Sequence, residues 1–200
     1  MSNLADRIQA QKQNLKQVST VITTLDGQKF LNHNLDNDED LVSIGQSCGF
    51  CIDTSPDEKI HCVVENLYIS SQDGAHNIQE LKDHNITHIL NVAIGIVNAF
   101  QEDFLYKTVE ISDLPEKNIT AYFPELFAFI KEGMANGGTL VHCNAGVSRS
   151  STVVTAFLMQ TKKLCLQKAF HLVKQGRPSA KPNEGFWKQL MEYDLVVGGN

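Results

Sequence analysis

The eleven residues Leu140-Val141-His142-Cys143-Asn144-Ala145-Gly146-Val147-Ser148-Arg149-Ser150 bring together a thiol, an imidazole, a guanidinium and two hydroxyls. A free thiol titrates near pH ~8.5, and a helix N-terminus with a nearby cation lowers this by several units. Cys143 is therefore expected to be a thiolate at neutral pH. Arg149 follows six residues later, far enough along the chain to face back over it. Its planar fork can hold two oxygens of a tetrahedral oxyanion, as lysine cannot. A sulfur nucleophile on one side of a phosphorus and an arginine on its equatorial oxygens are the parts that phosphoryl transfer requires. Ser150 can donate a hydrogen bond to the sulfur and make it a better leaving group in a second step. His142 is expected to be buried, bonding backbone carbonyls and supporting the loop, rather than to act as a base. The chain holds a second His-Cys pair, His61-Cys62, followed by Glu65 and Tyr68 where the first has Gly146 and Arg149. Nothing there can bind an anion, so Cys62 is read as structural.

Such an arrangement needs a strand that turns tightly into a helix. Gly138 to Val141 reads as a short buried strand, and Ser150 to Met159 as a buried helix rich in Val, Ala, Phe and Leu. The intervening Asn144, Ala145, Gly146, Val147 and Ser148, with Arg149, then form a cradle whose backbone N–H groups, backed by the helix N-terminus, favour a phosphate.

The spacing His142-Cys143-x-x-Gly146-x-x-Arg149-Ser150 resembles the signature of the cysteine-dependent protein tyrosine phosphatases. Leu67-Tyr68-Ile69-Ser70-Ser71-Gln72-Asp73, His88-Ile89-Leu90-Asn91-Val92, Ala121-Tyr122-Phe123 and Arg177-Pro178 leading to Pro182-Asn183-x-Gly185-Phe186 are similar to the small dual-specificity branch, in its atypical subgroup. The resemblance covers roughly residues 60–197. It implies an α/β fold, with a central mixed, mainly parallel sheet flanked by helices and the phosphate loop at a carboxyl end of a strand. It implies hydrolysis of phosphotyrosine and phosphoserine or phosphothreonine in proteins, and a place in stress-activated (MAP/JNK) kinase signalling. The phosphoprotein substrates would include kinases of that pathway.

Expelling an alkoxide or phenoxide from phosphorus requires a general acid. Ser112 to Asn118 reads as a loop after a strand, and it offers two carboxylates, Asp113 and Glu116. Spacing alone leaves both open; the resemblance implies Asp113. Asn144 and Val147 stand where relatives acting on inositol phospholipids tend to carry lysines. The loop is thus singly cationic, which suits a phosphoprotein monoester better than a multiply charged lipid or an RNA 5′ end.

The chain has 200 residues, 42% of them hydrophobic, enough for one full core and an appendage. Its net charge of −6 argues against general binding of nucleic acid. The excess is uneven: residues 1–60 carry 9 acidic and 5 basic side chains, residues 61–200 carry 14 and 12, so attraction for phosphate must be local. No apolar run approaches the ~20 residues that span a bilayer. Signal-peptide and lipidation features are absent, and no membrane association is expected. Five cysteines, an odd number, fit a reducing compartment, so the cytoplasm is expected, with the nucleus also open to it.

Two segments are expected: an appendage, residues 1–58, and a catalytic domain, residues 59–200. In the first, Leu4, Ile8, Leu15 and Val18 form one narrow helical stripe, a candidate docking element. Thr20 to Leu25 and Gln28 to Leu31 read as a hairpin turned by Asp26-Gly27. Asn32 to Pro56 reads as a linker with an acidic run at residues 36–40. Cys48 and Cys51, with His61 and Cys62, could supply four zinc ligands, but the spacing matches no common zinc module. No motif for a nucleotide, haem or flavin is present, and the thiolate chemistry needs neither cofactor nor metal.

In the second segment, His61 to Ile69, His88 to Val92 and Tyr106 to Ile111 read as strands, and Asp73 as the cap of a helix using Ala75, Ile78 and Leu81. Phe123, Leu126, Phe127, Ile130 and Met134 define a core-facing helix that Pro124 begins. Leu166, Ala169, Phe170 and Val173 line another, and Asn183 caps a last one with Phe186, Leu190 and Tyr193 inward. Arg177 could face the phosphate loop, although a helix-end cation is the default reading, and Cys165 reads as a core or surface thiol. An alternative function remains at this point: a phosphoprotein-binding scaffold for a kinase cascade with little turnover.

Overall fold

The computed structural model describes residues 20–23, 28–32, 41–46 and 57–197. The chain divides into two compact units, Met1–Ile52 and Asp53–Asn200. In the first, β1 (Thr20–Thr23), β2 (Gln28–Asn32) and β3 (Leu41–Gln46) form an antiparallel sheet in that order, with Thr23 opposite Lys29 and Asn32 opposite Leu41. Strand β3 falls inside the stretch expected to be a linker; its Leu, Val and Ile suit a sheet once a partner edge is available. The helix expected over residues 4–18, the turn expected at Asp26-Gly27, the acidic run 36–40 and Cys48/Cys51 lie outside the described residues.

The second unit is built on a five-stranded sheet ordered β4-β5-β8-β6-β7. Its strands are β4 (His61–Val64), β5 (Leu67–Ser70), β6 (Ile86–Asn91), β7 (Leu105–Thr108) and β8 (Gly138–His142). The edge pair β4–β5 is antiparallel and every other pair is parallel, so the sheet is mixed and mainly parallel. The single strand expected over His61 to Ile69 is a hairpin. Asn66 adopts φ 61° at its turn, a left-handed conformation that asparagine tolerates, and Val64 pairs with Leu67.

All five residues of β8 are buried, because the sheet is covered on both faces. On the larger face, Leu67, Ile69, Leu90, Val92 and Val141 pack against four helices: α3 (Phe123–Ala135), α4 (Arg149–Lys162), α5 (Leu166–Gly176) and α6 (Glu184–Val197). The expected periodicities place Leu126, Ile130, Leu166, Ala169, Phe186 and Leu190 in this core. On the smaller face, Ile60, Ala75, Leu81, Ile86, Ile89, Phe104 and Leu140 form a second cluster, contributed partly by α1 (Gln72–Ala75) and α2 (Ile78–Asp83).

The helix expected after Asp73 is thus two short ones. Ser71, not Asp73, caps the first, its Oγ accepting from the N–H of Asp73 at 3.1 Å and of Gly74 at 3.3 Å. Asn77 Oδ1 then accepts from the N–H of Gln79 and Glu80, starting a new helix where the old one would have continued. Strands β5, β6, β7 and β8 are parallel and end on one edge of the sheet, so the segments after them meet there. Such an edge is where open α/β sheets bind ligands.

Candidate active site

Cys143 to Ser148 connect the end of β8 to the start of α4. Four successive carbonyls of this turn are held from outside it. Asn144 O accepts from Gln72 N at 2.8 Å and Val147 O from Lys181 N at 2.7 Å. Between them, Ala145 O accepts from Arg177 Nη2 at 2.8 Å and Gly146 O from Arg177 Nε at 3.2 Å. In a planar trans peptide the N–H points opposite to the C=O. The N–H groups of Ala145, Gly146, Val147 and Ser148 are therefore turned together, away from those donors and into the concave side. The helix N-terminus adds its partial positive charge at the same place. Gly146 is required here: it has φ +67°, and a Cβ would stand 2.4 Å from the carbonyl oxygen of Ser70.

Cys143 is 2% exposed, with Sγ 3.3 Å from Ser150 Oγ on the first turn of α4. Arg149 donates from Nη1 to the carbonyl of Ile111 at 3.1 Å, which turns the guanidinium back over the loop. Its Nε lies 3.5 Å from Asp113 Oδ2 and is buried without a hydrogen-bond partner, which leaves a donor for an anion's oxygen. Asp113 Oδ1 accepts from Ser148 Oγ at 2.6 Å and from Asn183 Nδ2 at 2.7 Å. The carboxylate thus stands beside the arginine at the rim of the cradle. Glu116, the rival acid, is exposed. Asn144 and Val147 are half-buried.

His142 is buried beneath the loop. Its Nδ1 lies 3.3 Å from the carbonyl of Cys143, which can only accept, so this nitrogen carries the proton. Burial pushes its pKa down to about 4; the bond to Cys143 opposes this, while His76 and Arg149 add to it. Between the unfolded value near ~6.5 and about 4, the unfolded chain binds a proton that the folded chain refuses. The contribution of His142 to stability is therefore expected to be flat above about pH 6.5 and to fall as pH drops toward 4, by on the order of 3 kcal/mol in all. Urea unfolding at pH 7, 6 and 5 measures this, and in His142→Asn the slope between those values should shrink.

Arg177, read from sequence as a helix-end cation, is 2% exposed and belongs to the site's foundation. Besides the two loop carbonyls, its Nη1 donates to Asp57 Oδ2 in an ion pair. Burial pushes the Asp57 carboxyl up, but the hydrogen bond and charge of Arg177 outweigh it and leave the group below its ordinary value. Asp57 was assigned to the appendage by sequence; by its contacts it belongs to the second unit, where its carbonyl also accepts from Ser71 Oγ at 2.8 Å. Ser148 is a third residue with more than the expected part. It opens α4 without capping it, because its hydroxyl is spent on Asp113. No local pattern announces these contacts. Cys62 stands apart on edge strand β4, exposed, its Sγ directed to Val64 O.

The chain is similar to known proteins of one family. A model of the dual specificity phosphatase catalytic domain matches residues 67–195. Dual specificity protein phosphatase 19 of Mus musculus is 42% identical over 206 residues, covering 100% of this chain and 94% of that protein. MAP kinase phosphatase with leucine-rich repeats protein 2 of Dictyostelium discoideum is 42% identical over 132 residues, covering 66% of this chain and 19% of that protein. Among solved structures, human tyrosine phosphatase-like serine/threonine/tyrosine-interacting protein superposes with a TM-score of 0.65 at 33% identity, covering 70% of this chain and 98% of that one.

Proposed function

The chain belongs to the dual specificity protein phosphatases, and on that premise we propose that it hydrolyses phosphoproteins through a phosphocysteine on Cys143, without a metal. The observation that carries this reading is the set of four outward-tied carbonyls, which turns the N–H groups of Ala145 to Ser148 toward one point beside Sγ. A phosphate seated there offers its phosphorus to the sulfur and its equatorial oxygens to those N–H groups and to Arg149. Sulfur attacks phosphorus, the S–P bond forms and the P–O bond to the substrate breaks. The leaving oxygen takes a proton from Asp113. Oδ2 is the oxygen for this task, since Oδ1 is engaged by Ser148 and Asn183. In the second step Asp113 takes a proton from water, the water oxygen bonds to phosphorus, and the S–P bond breaks. The departing thiolate is stabilised by Ser150 at 3.3 Å. His142 supports the loop and stays neutral at working pH.

With a single cation at its rim and Asn144 and Val147 half-exposed on the loop, the cradle suits a monoester dianion on a protein side chain. The likeness to a MAP kinase phosphatase supports substrates within a MAP kinase cascade; from the family resemblance and the odd cysteine count the proposal extends to its stress-activated JNK arm, in the cytoplasm or nucleus. Acid quench during turnover of a phosphotyrosine or phosphothreonine peptide in EDTA is expected to leave phosphate on Cys143, detected by mass spectrometry. Turnover abolished by EDTA, with no covalent phosphate, would overturn the mechanism. Tight peptide binding without turnover would favour a scaffold.

A further inference from the structure

We propose that Gln189 and Gly185 are positioning residues for the acid, splinting the loop that carries Asp113 along α6; this rests on the reading of Asp113 given above. The loop from Ser112 to Ile119 touches this helix and its cap at three successive places. Asn183 Nδ2 holds Asp113 at 2.7 Å. The Pro115 carbonyl lies against Gly185, where a Cβ would stand 1.9 Å from its oxygen. The Gln189 amide then spans the backbone beyond: Nε2 donates to Lys117 O at 2.9 Å, and Oε1 accepts from Ile119 N at 2.9 Å. These contacts run in the same order along both segments, so the loop lies along the first turns of the helix.

The chemistry of the two residues fits the task. A primary amide both donates and accepts, so Gln189 can satisfy a C=O and an N–H two residues apart, as a neighbouring strand would. Gly185 permits a backbone approach that any side chain would block. The helix itself is a fixed reference. Asn183 Oδ1 caps it by accepting from Phe186 N at 2.9 Å, Phe186 and Leu190 are fully buried, and Tyr193 Oη donates to Gln160 Oε1 at 3.1 Å. The carboxyl of Asp113 is thereby held beside the cradle by atoms that take no part in the reaction. Displacing an acid by about 1 Å can cost ~10²-fold in rate.

A misplaced acid has a kinetic signature that a merely weakened fold lacks: the loss grows as the leaving group becomes poorer. The parent, Gln189→Leu, Gly185→Ala and Asp113→Asn are compared by kcat/KM on 4-nitrophenyl phosphate and on phenyl phosphate, whose leaving oxygen needs the proton far more. Thermal melting confirms that each variant is folded. In Gln189→Leu the rate on phenyl phosphate is expected to fall ~10-fold more than the rate on 4-nitrophenyl phosphate, a part of the ~10²–10⁴-fold that a general acid supplies. Gly185→Ala, which displaces the loop at Pro115, should show the same skew. Equal losses on both substrates in both variants, or no loss, overturn the splint if Asp113→Asn still shows the skew. If Asp113→Asn shows no skew, the acid assignment falls and the splint falls with it.

Discussion

Replacing Cys143 by serine is expected to lower turnover by at least ~10³-fold while leaving phosphopeptide binding in place. The substitution exchanges sulfur for a hydroxyl, a far weaker nucleophile toward phosphorus unless a base removes its proton. Its neighbour Ser150, 3.3 Å away, can donate a hydrogen bond but cannot accept and remove a proton at neutral pH. The remaining parts of the cradle are untouched. The carbonyls of Asn144 to Val147 stay tied to Gln72, Arg177 and Lys181, and Arg149 stays anchored on Ile111. Ground-state affinity therefore survives the loss of chemistry, as expected when an interaction matters chiefly in the transition state. Steady-state turnover and titration calorimetry with a phosphothreonine peptide measure the two quantities. Retention of more than about a tenth of the parent rate would remove Cys143 from the reaction.

Arg177→Ala is expected to cost about 3 kcal/mol of stability and at least ~10-fold in kcat/KM, although Arg177 forms no part of the cradle's inner surface. Its guanidinium is the sole side chain that holds the Ala145 and Gly146 carbonyls among the described contacts, and it is 2% exposed. Removing it strands two buried acceptors, each costing ~1–3 kcal/mol if nothing replaces the donor. Asp57 adds less, because its side chain is 34% exposed and water can solvate the released carboxylate. Peptides freed of Arg177 can rotate, and rotation withdraws the N–H groups of Gly146 and Val147 from the phosphate. Arg177→Lys should restore part of the stability and less of the activity, since a single ammonium cannot reproduce a planar fork across two carbonyls and a carboxylate. Urea unfolding and kcat/KM on an aryl phosphate test both statements. A parent-like unfolding midpoint in Arg177→Ala would contradict the energetic account.

The difference between these two residues shows how far the chain could be read alone. Cys143, Gly146, Arg149 and Ser150 lie within eight positions, and one strand–turn–helix brings them together. Their chemistry is local, so spacing determines it. The same holds for the helix lined by Phe123, Leu126 and Ile130, whose burial follows from a 3.6-residue period. Sequence was less secure where short-range preferences compete. Asn66 broke an expected strand into a hairpin, Ser71 took the cap assigned to Asp73, and Asn77 divided one helix into two. In each case a small polar side chain had two backbone conformations within reach, and the packing of the sheet chose between them.

What no local pattern could supply were contacts across long stretches of chain. Asp113 and Glu116 were equal candidates by spacing; their environments differ because Ser148 and Asn183, 35 and 70 residues away, meet only one of them. Spacing left Arg177 open between a helix-end cation and a side chain facing the loop, because its partners lie 31, 32 and 120 residues distant. Gln189 carries no signal in local spacing, Gly185 stands only within a family-like motif, and their register against Lys117 and Pro115 exists only once that helix has docked. The amino-acid sequence by itself determined the candidate nucleophile, the turn that carries it, the helix faces and the α/β plan, because each depends on residues within one or two turns. Where spacing left two carboxylates open and resemblance implied Asp113, only the tertiary structure shows which one stands at the cradle and what holds the loop, because both depend on where distant segments meet along the edge of the sheet.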